Sequence, residues 1–434
     1  MRILFLTENF PPETNAAATR VFERACYWVE AGHDVTVLTC APNFPEGRLF
    51  PGYRHRWHQA ETMAGMRVVR VKSFITANEG VVLRTLDFLS FMVTGFVAGL
   101  FEKRPEVIAA TSPQFFAAVG GWALAACRRR PFVFELGDLW PASIVAVGAM
   151  KDSALLRLME RLELFLYRRS AAIAALTGAF KANLVGRGIA PGKIAVVRNG
   201  VDLRRYAPAP RDEALAAEWG LAGCFTVGYV GTHGMAHGLD NVLAAAELLR
   251  GDAGIRFLLV GPGAARGALI AEAKRRGLDN VIFMPPQPKE RMPAVWSLCD
   301  VALIHLRDDP VFAEVIPSKI FEAMAMGLPL LLALPAGEAT GIVETDGAGL
   351  AVPPADPAAL ANAVRRLLQD APLRRSLAAA SLAAAPRHSR AVQAAAMMAV
   401  LQAAAAGDGA VAAQRVETIA AAPADMPRHA ARPG

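Results

Sequence analysis

The sequence has few cysteines and no paired arrangement of them. Its five cysteines are an odd set without a Cys-x-x-Cys pair. Structural zinc sites are built from such pairs, and secreted domains use an even set of cysteines for disulfides. The pattern therefore argues against a structural zinc site and predicts a reduced, cytoplasmic protein.

Several ligand signatures are also missing. The arginines are scattered apart from Arg128–Arg130, and no aromatic residues are interleaved with them, which argues against a nucleic-acid partner. The segment Gly261–Gly263 lacks the rest of a dinucleotide fingerprint and its acidic residue. Asp308-Asp309-Pro310 is not a DxD motif in a useful context, so we expect no obligatory metal and no cofactor. The net charge of +7 and the pI of about 9.4 fit anionic ligands such as nucleotides, lipid diphosphates or an anionic membrane.

Membrane segments are sparse as well. No signal peptide is visible, because the apolar part of MRILFLTENF is too short and reads as a buried strand. The stretch Phe88–Leu100 is shorter than the ~20 residues of a spanning helix, so it predicts a buried or interfacial helix. The amphipathic stretch Ser153–Arg169 predicts a packed helix with a solvated basic face; docking to a bilayer is the weaker interpretation. Peripheral membrane contact stays a hypothesis.

What the sequence does contain is two successive series of apolar strands and helices. Its 434 residues, 54% of them hydrophobic, are too many for one core. The first series begins at Arg2–Thr7, the second at Phe225–Val230, and Pro208 and Pro210 mark a linker. Alternating strands and helices predict parallel sheets, so we expect an α/β fold with two Rossmann-like domains and a cleft between them. The predicted parts are an N-terminal domain 1–207, a second domain 208–386, a helix at about 387–404 that packs back on the first domain, and a disordered tail 405–434.

The stretch AEVIPSKIFEAMAMGLP carries two glutamates eight positions apart. Pro317 between them breaks a shared helix, so we expect Glu314 in a loop and Ser318 as the N-cap of a helix Lys319–Met326. Glu322 then lies near the first helical turn. Carboxylates accept hydrogen bonds from hydroxyls, while a helix start and a lysine attract phosphate. The combination fits a nucleotide sugar; the alternative is a capped, surface-charged helix.

Two loops at the ends of predicted strands are further candidates. Gly231–Gly238 follows a strand and precedes a helix, where glycines let the backbone approach a diphosphate and His233 and His237 could add donors. The alternative is a plain glycine-rich turn. Asp138 follows another strand and could be functional, an N-cap or a turn former. Asn15–Ala18 occupies the place of a phosphate- or sugar-binding loop in the first domain.

Together these features resemble retaining glycosyltransferases of the GT-B fold, in the large Glu-x7-Glu family. The motif runs from Glu314 to Glu322 and continues into EAMAMGLPLL, and RNGVD, LLVGPG and NVIFMPPQP support it. The resemblance extends from Met1 to about Leu401. IPSKIFE and DLWP are similar to the branch that builds O-antigen, capsule or related glycans, of which some members are N-acetyl-L-fucosamine transferases.

The resemblance implies roles for individual residues. Glu322 would hold the ribose and Glu314 the donor-sugar hydroxyls. The loop Met284–Gln287 would frame the base, and the Gly231 loop would hold the diphosphate. The family carries an Arg and a Lys where this chain has Thr232 and His237, so we expect Lys319 to supply the missing charge. The implied catalytic residues are Glu314, Lys319 and Asp138; the donor-binding residues are Glu322, Ile316, Pro317, Ser318, Gly231, Thr232, His233, His237, Gly261 and Gln287; the acceptor-side residues are Asn15, Ala16 and Ala17.

The implied reaction moves a sugar from a nucleoside diphosphate to a glycan or a polyprenyl-diphosphate-linked acceptor, with retention of configuration at the anomeric carbon. The nucleoside diphosphate expected first is UDP. The sugar expected from the branch is an N-acetylated deoxyhexosamine, and the site of action is the cytoplasm or the cytoplasmic face of the inner membrane. Two alternatives stay open: a nucleotide-sugar epimerase or hydrolase on the same fold, and a non-catalytic sugar-nucleotide-binding scaffold protein.

Overall fold

The computed structural model describes residues 1–44, 46–76, 81–112, 114–139, 154–409 and 412–421 of the chain. These residues form two compact units. The first is Met1–Asn199 together with the chain from Arg390 onward, and the second is Gly200–Ser389. The chain therefore leaves the first unit once and returns to it once.

The first unit is built on an eight-stranded sheet. The strand order is β3-β4-β2-β1-β5-β6-β7-β8, and only β3 runs antiparallel to its neighbour. The strands are β1 (Arg2–Leu6), β2 (Asp34–Cys40), β3 (His58–Met63), β4 (Met66–Val71), β5 (Val107–Thr111), β6 (Phe132–Leu136), β7 (Ala172–Ala175) and β8 (Ile194–Val196). The described helices are Ala16–Glu30, Val81–Phe101, Phe115–Arg128, Ala154–Arg169, Gly178–Gly186, Arg390–Ala405 and Ala412–Ala421.

Burial of both sheet faces explains the strand sequences of the first unit. Strands such as β5 and β6 are buried along their whole length, which is why they read as continuous apolar runs. The helix Ala16–Glu30 begins at Asn15, whose side-chain oxygen accepts from the amide of Ala18 at 2.9 Å. Its Trp28 is 2% exposed and donates its indole N–H to the carbonyl of Ala394, so the returning C-terminal helix completes this core.

The second unit is built on a six-stranded parallel sheet. The strand order is β11-β10-β9-β12-β13-β14. The strands are β9 (Phe225–Val230), β10 (Ile255–Val260), β11 (Val281–Met284), β12 (Val301–His305), β13 (Leu330–Ala333) and β14 (Gly349–Val352). The helices are Glu213–Glu218, Asp240–Leu248, Arg266–Arg276, Met292–Ser297, Lys319–Ala325, Glu338–Thr345, Pro357–Gln369 and Ala371–Ala384. Short 3-10 turns precede some of them, including Met235–His237 and Pro310–Glu314.

The structure corrects the predicted boundary between the two domains and the predicted disorder of the tail. Val201 and Tyr206 are buried in the core of the second unit, so that unit begins before the predicted position 208. The helix Arg390–Ala405 packs on the first unit. The tail was predicted to be disordered, but Ala412–Ala421 is a helix whose Ala412 and Val416 are buried against the first unit. The alanine-rich composition of the tail gave no apolar pattern from which this helix could be predicted. Residues 422–434 lie outside the described residues.

The apolar helix extends beyond the membrane candidate Phe88–Leu100 at both ends. It spans Val81–Phe101, and its part Leu83–Phe101 is long and apolar enough to cross a membrane by length and composition. Arg84 and Asp87 bound that candidate upstream, because both are charged. Within the helix, Asp87 is only 7% exposed and the Arg84 guanidinium lies over the Phe88 ring, so neither charge breaks it.

Candidate functional site

The second sheet reverses its strand order between β9 and β12. Beginning at β9, the chain adds β10 and β11 on one side and then β12, β13 and β14 on the other. Ligands of open α/β sheets bind at the carboxyl ends of the strands at such a reversal. The Gly231 loop follows β9, and Arg307 follows β12. The backbone amide of Arg307 donates to the carbonyl of Ala236, in the Gly231 loop, at 2.9 Å. The two loops are therefore joined at the predicted place.

Glycines let two loop backbones lie against each other there. Gly231 has a φ of +144° and Gly261 a φ of +145°, in the region that disfavours side chains. A Cβ on Gly261 would meet the Gly231 carbonyl oxygen at 2.0 Å. Likewise, a Cβ on Gly263 would meet the His233 carbonyl oxygen at 2.2 Å. The glycines are thus required by close packing of the loops.

Lys319 lies against the Gly231 loop. A Cβ on Gly231 would be 2.8 Å from the Lys319 Nζ, and Nζ lies 3.7 Å from the centroid of the Tyr229 ring. This nitrogen is shielded from solvent and has no hydrogen-bond partner among the described residues. Burial lowers the pKa of Lys319 to about 7, although nearby Glu322 opposes the shift. An ammonium that lies against an aromatic face and makes no hydrogen bond there can bind an incoming anion.

Tyr229 links this lysine to the loop. It is buried in β9, and its hydroxyl donates to the carbonyl of Thr232 at 2.7 Å. Burial raises the pKa of the Tyr229 hydroxyl, so it stays a neutral donor. The same side chain therefore anchors the loop by its hydroxyl and supports Lys319 by its ring.

The histidines of the site are buried and neutral. His233 is 0% exposed, its ring packs near Tyr229 and Phe283, and neither ring nitrogen has a partner among the described residues. Burial, with Arg266 and Lys319, lowers the pKa of His233 to about 4. The structure buries this ring in the packing of the loop, whereas the sequence suggested that it could add a hydrogen-bond donor for a ligand.

His237 and His305 fix the far end of the loop. The His237 ring accepts from the Gly234 amide at 3.3 Å, and burial lowers the pKa of His237 to about 4. His305 Nδ1 lies 2.7 Å from the His237 carbonyl, so it carries the proton, and its Nε2 accepts from Asn241 at 2.8 Å. Acceptance at Nε2 requires the neutral ring, and burial lowers the pKa of His305 to about 4.

The two glutamates of the motif lie in separate elements, as their spacing around Pro317 predicts. Glu314 ends the 3-10 turn Pro310–Glu314, which Asp309 caps by accepting from the Val311 amide at 3.0 Å. Glu322 lies in the first turn of the helix Lys319–Ala325, and its carboxylate accepts from the Trp296 indole at 3.4 Å. The predicted cap is corrected: Ser318 makes no side-chain capping bond and has helical backbone angles. The Ser318 hydroxyl therefore does not cap the backbone amides at the start of this helix.

Other predicted donor residues lie at neighbouring strand ends. Ile316, Pro317 and Ser318 are half-buried between the two glutamates, Thr232 is exposed on the loop, and Gln287 follows β11, where it donates to the carbonyl of Pro285 at 3.2 Å. Sequence reasoning missed Tyr229, Trp296 and His305, which look like core residues of a strand or helix. It also missed Arg307, whose Cγ would be 3.1 Å from a Cβ on Gly238.

In the first unit the predicted acceptor residues begin a helix. Asn15 caps it, and Ala16 and Ala17 form its first turn, with Ala17 buried. Asp138 follows β6, and its amide lies 3.4 Å from the Ser112 hydroxyl. Part of the DLWP segment, from Trp140, lies outside the described residues.

Glu135 has a structural part in the first unit, as its place in a strand suggests. Its carboxylate is 1% exposed and pairs with Arg20 at 3.0 Å and with Arg24 at 2.8 Å. Burial alone would raise the pKa of Glu135, but the two guanidinium groups outweigh burial and hold it at about 2. In the described part of the chain, no group of three or more His, Cys, Asp or Glu side chains could hold a metal ion.

Comparison with known families identifies the chain. Residues 224–370 match the family described as "Glycosyl transferases group 1", and residues 15–200 match the "Glycosyl transferase 4-like domain". Both units of the chain therefore match glycosyltransferase domains. It is an enzyme of the transferase class, and its two α/β units are those of the GT-B fold.

Relatives of this glycosyltransferase cover most of its length. One, named as a colanic acid biosynthesis glycosyl transferase, WcaI of Escherichia coli, is 25% identical over 85% of this chain and 92% of its own. A GDP-mannose-dependent alpha-mannosyltransferase of Mycobacterium tuberculosis is 25% identical over 81% and 84%. Among solved structures, a sucrose-phosphate synthase of Thermosynechococcus elongatus has a TM-score of 0.73 at 19% identity, covering 92% of this chain and 98% of its own. Anabaena HepE in complex with UDP has a TM-score of 0.68 at 20% identity, covering 93% and 100%.

Proposed function

We propose that this glycosyltransferase moves a sugar from a UDP-sugar to a glycan or lipid-linked acceptor in cell-surface polysaccharide synthesis, with retention at the anomeric carbon. The observation that carries the donor assignment is the unpartnered Lys319 ammonium beside Gly231, at the reversal point of the second sheet. The names of relatives active in colanic and teichuronic acid synthesis support the pathway class, and the UDP complex of HepE supports the base. The sugar follows the branch resemblance: an N-acetylated deoxyhexosamine.

The chemistry assigned to the donor site is charge stabilisation of the leaving nucleoside diphosphate. Lys319 and the amides of the Gly231 loop neutralise the phosphates as the glycosidic bond breaks. Glu314 and the backbone of Ile316, Pro317 and Ser318 hold the donor sugar, and Glu322 holds the ribose. The departing phosphate accepts the proton of the attacking hydroxyl on the same face, which gives retention.

Two predicted donor positions are reassigned within this proposal. His233 supports the loop from beneath, because its ring is fully buried. Gly261 has the same supporting part, since its Cα packs on the Gly231 carbonyl. Thr232, His237 and Gln287 remain donor-binding residues, and Asp138, with Asn15, Ala16 and Ala17, remains on the acceptor side.

We further propose that no divalent ion is required, because Lys319 supplies the charge that a metal would supply. The test is the initial rate with and without EDTA and with added Mg²⁺ or Mn²⁺. An unchanged rate supports the proposal, and loss of activity with EDTA that Mg²⁺ restores overturns it.

Peripheral membrane contact is proposed for the helix Val81–Phe101. Apolar side chains recur along one side of it and are exposed by 36% to 54%: Leu83, Leu86, Val93, Val97 and Leu100. Exposed Lys103 and Arg104 follow at its end and suit anionic headgroups. The protein then works at the cytoplasmic face of a membrane. Co-flotation with phosphatidylglycerol vesicles tests this, with a Val93→Ser, Val97→Ser variant expected to stay in solution.

The deciding experiment for the donor is a thermal-shift screen of UDP- and GDP-sugars, because a bound ligand raises apparent stability by mass action. The ligand that stabilises is then incubated with lipid-linked and free glycan acceptors. We expect stabilisation by a UDP-sugar and UDP release only when an acceptor is present. Release of UDP without acceptor indicates a hydrolase, conversion into another UDP-sugar without release indicates an epimerase, and binding without any turnover indicates a scaffold protein. Each of these results overturns the proposal.

A further inference from the structure

The last residues of the second unit lie against its first residues. The amide of Val201 donates to the carbonyl of His388 at 2.9 Å, and Val201 forms a parallel bridge with Ser389. Gly200 allows this approach, because a Cβ on it would meet the carbonyl oxygens of His388 and Ser389 at 2.8 Å. The backbone of His388 is therefore fixed at the place where the chain enters and leaves the second unit.

The side chain of His388 contacts the helix Lys319–Ala325. Its ring stacks on the ring of Phe321, with 4.9 Å between the two centroids and an angle of 27° between the planes. Phe321 is fully buried and lies between Lys319 and Glu322 in the sequence of that helix. A shift of the Phe321 ring therefore moves the lysine and the glutamate that are assigned to the donor.

A carboxylate fixes the orientation of the His388 ring. His388 Nε2 lies 2.7 Å from Asp346 Oδ2, and the same carboxylate pairs with Arg387 at 2.6 Å. The Asp346 side chain is only 8% exposed, so its contact with the histidine is shielded from water. Because the carboxylate accepts, Nε2 carries the proton, and this hydrogen bond holds the ring in the orientation that stacks on Phe321.

Asp346 also connects this ring to the element that carries the other glutamate of the motif. It lies at the C-terminal end of the helix Glu338–Thr345. At the opposite end of that helix, a Cβ on Gly337 would meet the Ala313 carbonyl oxygen at 2.1 Å, so the helix packs tightly on the residue before Glu314. The histidine ring thus supports both glutamate-bearing elements, one by direct stacking and the other through a single helix.

We propose that His388 is a positioning residue of the donor site, which holds Lys319 and Glu322 in place through Phe321. The proposal rests on the assignment of the donor to these residues and deepens it, because it places part of the control of donor affinity where the chain leaves the second unit. The alternative is a purely structural part, in which loss of the stack lowers the free energy of unfolding and leaves donor affinity unchanged.

Three variants of the full chain separate the two alternatives. His388→Gln removes the ring and keeps a polar side chain for Asp346. His388→Phe keeps a ring for the stack and leaves the carboxylate paired with Arg387. Arg387→Gln is the matched control, because it removes an exposed partner of the same carboxylate and leaves the stack intact. Calorimetry measures UDP affinity, and urea unfolding measures the stability of each variant.

We expect His388→Gln to bind UDP about five- to ten-fold more weakly than the wild type, the range that one aromatic pair contributes. In turnover, its KM for the donor should rise and its KM for the acceptor should stay the same. His388→Phe should recover most of the affinity even where it is less stable, and Arg387→Gln should bind like the wild type. Equal affinity in His388→Gln and the wild type, or no recovery in His388→Phe, overturns the proposal.

The wild type is measured first, so that a failure of the donor assignment is recognised separately. If it binds GDP and not UDP, the UDP assignment fails and the variants are compared with GDP. If it binds UDP and His388→Gln binds equally well, the His388 proposal fails alone. If it binds no nucleoside diphosphate, both fail. Should His388→Gln not fold, His388→Leu, which fills the space without a ring, takes its place with the same expected loss.

Discussion

The Lys319 ammonium lies 3.7 Å from the centroid of the Tyr229 ring, beside the Gly231 loop. Because Nζ has no hydrogen-bond partner among the described residues, a diphosphate can bind it without breaking an ion pair. We expect Lys319→Ala to lower kcat by about 10²–10³-fold, the usual cost of losing one charge-stabilising donor. Steady-state kinetics with the donor from the screen check this. Exposed Lys274, in the same unit, is the control: Lys274→Ala should keep normal turnover.

Binding of UDP should take up a proton above pH 7. In the free protein the pKa of Lys319 is lowered to about 7, so the amine loses its proton as the pH rises from 7 to 8. A bound diphosphate favours the charged form and raises that pKa again. We therefore expect affinity to fall with rising pH, and calorimetry in buffers of different ionisation enthalpy to show the uptake. Lys319→Arg stays charged and should show neither effect; equal proton uptake in that variant contradicts the assignment.

Two glycines of the second unit should respond oppositely to alanine. A Cβ on Gly261 would meet the Gly231 carbonyl oxygen at 2.0 Å with a φ of +145°, so Gly261→Ala should destabilise by ~2–4 kcal/mol and abolish UDP binding. Gly267 lies in the helix Arg266–Arg276 with no atom within 4 Å of its Cβ position. Gly267→Ala should therefore stabilise by ~0.5–1 kcal/mol. Urea unfolding measures both, and destabilisation by Gly267→Ala would contradict the geometry.

The acid sensitivity of the first unit should depend on Glu135. Its folded pKa is held at about 2, below the usual value of 4.5, chiefly by Arg24 and then Arg20 against the effect of burial. Because the folded pKa is depressed, this stabilisation is present above pH 4.5 and is lost as the pH falls from 4.5 toward 2. Thermal unfolding between pH 3 and 7 should show a shallower acid decline in Glu135→Gln. That variant is also less stable at pH 7, since both arginines lose their charged partner.

The strands and the donor loop could be predicted because buried parallel strands are continuous apolar runs. β9 and β12 were found in this way, and the glycines after β9 marked the loop. Lys319 was predicted to serve the diphosphate because Thr232 and His237 stand where the family has an Arg and a Lys. Tyr229 and His305 could not be predicted, since a strand residue that anchors a loop has the same pattern as one that fills the core.

Elements without an apolar pattern were the ones missed. β3, His58–Met63, alternates half-buried and exposed positions at the sheet edge, so it resembled irregular chain. The helix Ala412–Ala421 buries small alanines, which give little contrast between its faces. The Arg24–Glu135 ion pair joins residues far apart in sequence. Such long-range partners become visible only when the sheet is assembled.

The return of the chain at Arg390 determines when the first unit can mature during synthesis. Trp28 donates to the carbonyl of Ala394, and Arg390 pairs with Glu23 at 3.0 Å. The helix Ala16–Glu30 can therefore make these contacts only after residues almost 370 positions later have been synthesised. At ribosomal rates of about 5–20 residues per second, that wait lasts roughly 20–70 s. The second unit emerges whole in the interval and can fold first. A nascent chain halted before Arg390 would then carry one finished domain and one apolar surface open to chaperones.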